Sequence, residues 1–199
     1  MRTNGEVFEY GETNAVTRVE FHRPELTALE AEALARHQLQ RNAIYAFHRT
    51  GILGEAAAMR ALGLPLRFCH ERDNGSDFLI GNLGIDVKCS TNAPRRSNLL
   101  FDSFDHFRAD LALLTRVADE DEAHVAVEVI GWVTRDDFRE RAHMASIRGV
   151  SKPLCQRQSL RPIASFWRDM PALFITGGTD HAITSASNQS GSVHGLSAV

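Results

Sequence analysis

Three residues near the middle of the chain have side chains and spacing suited to chemistry: Asp77, Asp86 and Lys88, in the stretch Gly75–Ser90, GSDFLIGNLGIDVKCS. Side chains alternate faces along a strand. In a strand over 85–91, Ile85, Val87 and Cys89 therefore face a core, and Asp86, Lys88 and Ser90 face the other way. A hairpin closing on Gly81 and Gly84 sets Asp77 opposite Lys88 and residue 79 opposite Asp86. All three charged side chains then share one face, and a one-residue slip would separate them. Two carboxylates so close repel unless a proton or a divalent cation neutralises them. Oxygen ligands suit Mg²⁺ or Mn²⁺, which take one or two carboxylates, retained water and substrate phosphate. Such an ion polarises a phosphoryl oxygen and acidifies water. A lysine beside it supplies a compact charge for the attacking water or the developing negative charge.

Taken singly, each residue has a plainer reading. Asp77 would cap the Asn74-Gly75 turn. Asp86 and Lys88 would form a charge pair on a solvated strand. Glu55 lies in Gly51-Ile-Leu-Gly54-Glu55-Ala, where Gly54 and Ala56–Ala58 mark close helix packing, a poor setting for a solvated glutamate.

Together, the Gly-Ser-Asp77 segment, the spacing to Asp86, the strand Ile85-Asp86-Val87-Lys88 and the preceding glycine-glutamate context resemble the PD-(D/E)XK nuclease superfamily. The resemblance covers roughly residues 44–140, with Ser76 where the family usually has proline, and the strand ending in Ile130-Gly131-Trp132 also resembles some members. It implies a restriction-endonuclease-like α/β (α+β) fold, with a central mixed β-sheet flanked by helices, that hydrolyses DNA phosphodiester bonds with Mg²⁺ or Mn²⁺. Glu55, Asp77, Asp86 and Lys88 would be the catalytic set. Asp77, Asp86, the Val87 carbonyl and Glu55 would be the metal set. In the loop after the strand, Ser90, Asn92, Arg95 and Arg96 would hold backbone phosphates, contacts that position DNA without reading its sequence. Cutting both strands makes a homodimer a further expectation.

The elements that must carry these residues can be sketched. Residues 1–24 are polar and read as an irregular arm, 25–176 as the nuclease-like domain, and 177–199, rich in Gly, Ser and Thr, as a flexible tail. Helical spacing starts at Glu25, with Leu26, Leu29, Ala33 and Leu34. A second helix covers about 52–62 and stops at Gly63. Strands are expected over 66–71, 77–81, 85–91, 110–117 and 123–132. Thr134 caps a short helix to about Ala142, and 151–167 is mixed, with at most one late strand.

Composition narrows the classes. The chain has 199 residues, 43% hydrophobic and 24% charged, with a net charge of −3. Residues 101–133 carry −6 and residues 134–168 carry +5, so a near-neutral total conceals a basic stretch. Of 22 basic residues only Lys88 and Lys152 are lysine. Three widely spaced cysteines without a CxxC fit free thiols and a cytoplasmic, reducing setting. The sequence has no apolar span for a membrane, no zinc-ligand spacing, no GxSxG and no GxxxxGK. Two other readings stay open: a catalytically silent nucleic-acid-binding module of the same fold, and a protein-interaction or inhibitor factor using one of the charged stretches.

Overall fold

A computed structural model describes residues 7–8, 16–40, 43–68 and 75–170. The chain divides into two compact units, residues 1–166 and 167–199. The second is almost wholly outside the described residues, as is the expected tail over 177–199. In the first, a six-stranded sheet has the order β1-β2-β7-β6-β4-β3: β1 (Val7–Phe8), β2 (Val16–His22), β3 (Phe78–Ile80), β4 (Leu83–Ser90), β6 (Leu111–Glu120) and β7 (His124–Thr134). β4 and β6 run parallel and the other neighbours antiparallel, giving a mixed α/β architecture. A smaller sheet has the order β5-β9-β8, from β5 (Leu99–Leu100), β8 (His143–Ile147) and β9 (Val150–Cys155).

Helices α1 (Arg23–Leu39) and α2 (Tyr45–Ala61) form a layer on the large sheet. α1 starts where Pro24 enters the first turn and His22 N–H donates to Glu25 Oε2 at 3.2 Å, half of a capping box. Its buried residues, Leu26, Leu29, Ala33 and Arg36, form one stripe against α2. α2 is buried continuously from Ile52 to Met59, as expected of a helix enclosed between a second helix and a sheet. Gly54 permits this approach: a Cβ there would lie 2.6 Å from both Cys89 Cβ and Thr115 Oγ1. The opposite side of the sheet is sealed by Leu99, Phe101, Phe107, Phe138 and Cys155, packed on Ala112, Leu114 and Ile130.

Several expectations change. Residues 16–22 are not an irregular arm but β2, paired with β7 from Thr17↔Val129 to His22↔His124. Val19 and Phe21 are buried on one face and Val16 on the other, with half-buried or exposed Thr17, Arg18, Glu20 and His22 among them, so a polar look conceals a partly buried strand. Residues 143–155 form a hairpin: β9 is the late strand of the stretch read as mixed over 151–167, whereas β8 lies where no strand was expected. Residues 66–68 are not a strand, and 69–71 lie outside the described residues. The Thr134 cap is present, its Oγ1 accepting from Asp137 N–H at 3.0 Å at the head of α3 (Arg135–Arg141). Among the described residues no helix is long and apolar enough to cross a membrane.

Candidate functional site

The β3–β4 hairpin turns on Gly81-Asn82, pairing Ile80 with Leu83, Leu79 with Gly84 and Phe78 with Ile85. Gly81 takes φ 63° at the first turn position, which a II′ turn demands. Gly84 lies inside the strand rather than in the turn. The pairing is therefore displaced by two residues from the sequence expectation, and Asp77 comes beside Asp86 rather than opposite Lys88. A shift of two preserves the faces, so the grouping survives a wrong register.

β3 is too short to pair with the whole of β4, and Asp77 completes the edge. Its backbone N–H donates to the Ile85 carbonyl at 2.7 Å, and its Oδ2 accepts the Val87 N–H at 2.7 Å. A strand residue's N–H and C=O point the same way, so the Val87 carbonyl faces the same edge. The Asp77 and Asp86 carboxyls are close enough for each to influence the other's protonation. Lys88 Nζ donates to both Asp86 oxygens at 2.5 and 2.8 Å and lies 5.0 Å from the centre of the Phe101 ring. That ring is itself fixed, stacked on Phe107 at 4.5 Å and edge-on to Phe138 at 5.1 Å.

Glu55 reaches the group from α2, 2% exposed. Arg36 of α1 grips it with two hydrogen bonds, 2.5 Å to Oε1 and 2.7 Å to Oε2. Sequence reasoning missed Arg36, although its position was readable: it continues the Leu26, Leu29, Ala33 stripe at helical spacing, where an arginine needs a buried partner. With both Glu55 oxygens held by Arg36, Glu55 is less available as a ligand than Asp77 and Asp86.

Charge is out of balance here. Burial first, then the Glu55 and Asp86 charges, push the Asp77 carboxyl well above the usual carboxylate range. Burial also raises Asp86, against the pull of Lys88. Glu55 is raised by burial despite Arg36. Burial disfavours the Arg36 charge, but the bond to Glu55 more than offsets it and holds its pKa up. Three carboxyls thus face two cationic side chains, an imbalance that a proton or an added cation would neutralise.

Among the described residues, no three His, Cys, Asp or Glu side chains gather as a metal cage. The donors present are oxygens: the Asp77 and Asp86 carboxyls and the Val87 carbonyl. That set fits a hard cation that keeps most of its water and takes only one or two carboxylates. The crowded carboxyls are the observation that fits it best, since a cation would relieve their repulsion.

The candidate phosphate loop follows β4 as a 3-10 turn at Pro94–Arg96. Arg95 and Arg96 are exposed and form no ion pair among the described residues. Ser90 is engaged within the loop, where its Oγ accepts Asn92 N–H at 3.1 Å and lies 3.3 Å from the Ser97 hydroxyl. Ser97 is fully buried, its hydroxyl 3.1 Å from the Asn92 carbonyl, and Arg157 Nη1 donates to the Pro94 carbonyl at 2.9 Å. The loop is therefore built in advance, presenting Asn92, Arg95 and Arg96 to solvent. Cys89, by contrast, is packing: burial pushes its thiol up to about 11.

The basic stretch 134–168 is largely committed internally. Arg161 and Arg141 pair with Asp137 at 2.6 and 3.4 Å, and Lys152 pairs with Asp102 at 2.5 Å. Compared with known proteins, the chain matches no protein-family profile, and no curated protein or solved structure is significantly similar to it.

Proposed function

We propose that this protein is a divalent-metal-dependent nuclease that hydrolyses DNA phosphodiester bonds on a restriction-endonuclease-like fold. The observation that carries the reading is the grouping of Glu55, Asp77, Asp86 and Lys88 beside the middle of β4, with more carboxyls than the local cations neutralise. Asp77, Asp86 and the Val87 carbonyl would hold Mg²⁺ or Mn²⁺. When bound, the ion supplies Lewis-acid activation of water and of the phosphoryl group. The chain's own residues do the positioning. Asp86 holds Lys88 Nζ by two hydrogen bonds, and Phe101 backs it, so the lysine is aimed before substrate arrives. Lys88 would then orient the attacking water and meet the charge that develops on phosphorus oxygens. Arg36 sets the orientation of Glu55, which would accept a hydrogen bond from that water. Arg95, Arg96 and Asn92 would hold the flanking backbone.

The test is incubation of purified protein with linear, circular and single-stranded DNA in Mg²⁺ or in EDTA. Cleavage in Mg²⁺ alone, lost in Lys88→Ala by about 10²-fold or more, is the expected result. Cleavage that persists unchanged in Lys88→Ala overturns the assignment. Linear rather than nicked product from circles reads the homodimer. One observation favours a silent DNA-binding module: Arg36 occupies both Glu55 oxygens. Salt-sensitive DNA binding without products would decide for that module.

A further inference from the structure

The β8–β9 hairpin is the feature that this reading leaves unused. Its tip is Arg148-Gly149, and both residues have positive φ, 52° and 80°. Such a turn is cheap for Asn-Gly or Gly-Gly, whereas a side chain like arginine rarely adopts a positive φ. Arg148 is exposed and makes no ion pair or side-chain hydrogen bond among the described residues. A long cation thus stands, unpaired, at a position where local stability favours another residue.

The chain segments around the tip are basic, although Asp102 and Asp137 neutralise Lys152, Arg141 and Arg161 and leave Arg148 as the hairpin's unpaired cation among the described residues. From 141 to 166 the chain has five basic residues and no Asp or Glu, and 87–101 has three basic and none acidic. The two segments are joined in space. β5 pairs with β9, Phe101 N–H donates to the Pro153 carbonyl at 3.2 Å, and Arg157 holds the Pro94 carbonyl. The hairpin therefore starts beside Phe101, the ring under Lys88, and runs outward. Four residues of strand separate Pro153 from the tip, about 13 Å at strand rise. That is about four steps of a DNA strand at 3.4 Å each.

We infer that the β8–β9 hairpin is a second DNA-contacting arm, with Arg148 engaging backbone phosphate about four nucleotides from the bond placed at Lys88. The inference rests on the nuclease reading and extends it from the site to the footprint. The three exposed guanidiniums, Arg95 and Arg96 on one segment and Arg148 on the other, would bracket one stretch of duplex.

The test replaces Arg148 by residues that suit the turn, Arg148→Asn and Arg148→Gly, so that weaker binding cannot be blamed on a broken hairpin. Binding of the full chain to a labelled 20-base-pair duplex is measured in EDTA across a salt series, beside thermal melting. Expected are a five- to tenfold weaker affinity, a salt slope smaller by about 0.9 because one fewer phosphate is neutralised, and a melting temperature equal to or above wild type. Wild-type binding with the same affinity and slope in both variants overturns the arm and leaves the active-site reading standing. A wild-type chain that binds no duplex in EDTA overturns the arm, while cleavage in Mg²⁺ decides the nuclease reading separately.

Discussion

Two buried charge clusters share the large sheet, and they are built on opposite terms. Arg116 on β6 lies opposite Glu128 on β7, and its Nε and Nη2 meet Glu128 Oε2 at 3.0 and 2.8 Å. One cation meets one carboxylate, and both are nearly enclosed. Beside the middle of β4, Asp77, Asp86 and Glu55 share Lys88 and Arg36. The first cluster is electrically complete, as a structural pair should be. The second is complete only with an added proton or an added cation, which is the mark of a site.

Carboxyl removal should therefore change stability in opposite directions at the two places. Glu128→Ala strands a buried guanidinium and should cost about 3–5 kcal/mol. Asp77→Asn keeps an acceptor for Val87 N–H, offers an amide donor to Asp86, and removes a repelling charge. It should stabilise the fold at neutral pH by an amount on the order of 1 kcal/mol, while metal-dependent cleavage is lost. Urea unfolding of the two variants beside wild type measures both. A destabilised Asp77→Asn would mean that its carboxylate is structural and that the two clusters do not differ in kind.

The same imbalance fixes the sign of a pH effect. Asp77, Asp86 and Glu55 hold protons more tightly folded than unfolded. Between the ordinary carboxyl range, about pH 4, and the raised folded values, the native state binds more protons than the unfolded chain. Stability from these groups is then fully present below that range and falls as pH rises through it. In EDTA, the melting temperature of wild type should fall relative to Asp77→Asn as pH increases from about 4 towards 7. Mg²⁺ should recover the difference at neutral pH, by about 1.4 kcal/mol at ten times its dissociation constant, and do little near the ordinary carboxyl range, where protons fill the site. Parallel curves for wild type and variant, with no response to Mg²⁺, would remove the physical basis of the proposal.

Much of the site was legible because strand alternation is a parity rule. The turn at Gly81-Asn82 differs from the expected one, yet an even displacement keeps Asp77 and Asp86 on one side. Gly54 also reported truly, since tight packing on Cys89 and Thr115 is what draws Glu55 inward. Less legible was anything whose partner is distant in the chain. Arg36 and Glu55 meet across two helices, and nothing local to Arg36 names the carboxylate it needs. β2 and β8 escape the sequence for a related reason. Half-exposed strands at sheet margins carry too few apolar residues to show their period, and only pairing with β7 or β9 fixes them. The charge runs misled most: the +5 stretch is largely spent on Asp137, Asp102 and the Pro94 carbonyl.

The chain's two lysines carry the contrast down to its smallest expected effect. Lys152 Nζ meets Asp102 at 2.5 Å, but Asp102 is 67% exposed, and water competes for the pair. The lysine holds the Asp102 carboxyl below its usual range, so any stabilisation is present at neutral pH and lost as Asp102 protonates in acid. Solvent screening limits Lys152→Ala to about 0.2–1 kcal/mol, and Lys152→Arg should be neutral, since an exposed pair tolerates a larger, equally charged head. Lys88 has no such freedom. Its own side chain is 41% exposed, but its Nζ sits between both oxygens of the buried Asp86 and the Phe101 face, contacts that suit a point-like ammonium better than a planar fork. Lys88→Arg should fold yet lose cleavage, while Lys152→Arg matches wild type in unfolding and in turnover. Equal behaviour of the two arginine variants would show that Lys88, like Lys152, is only a charge on the surface.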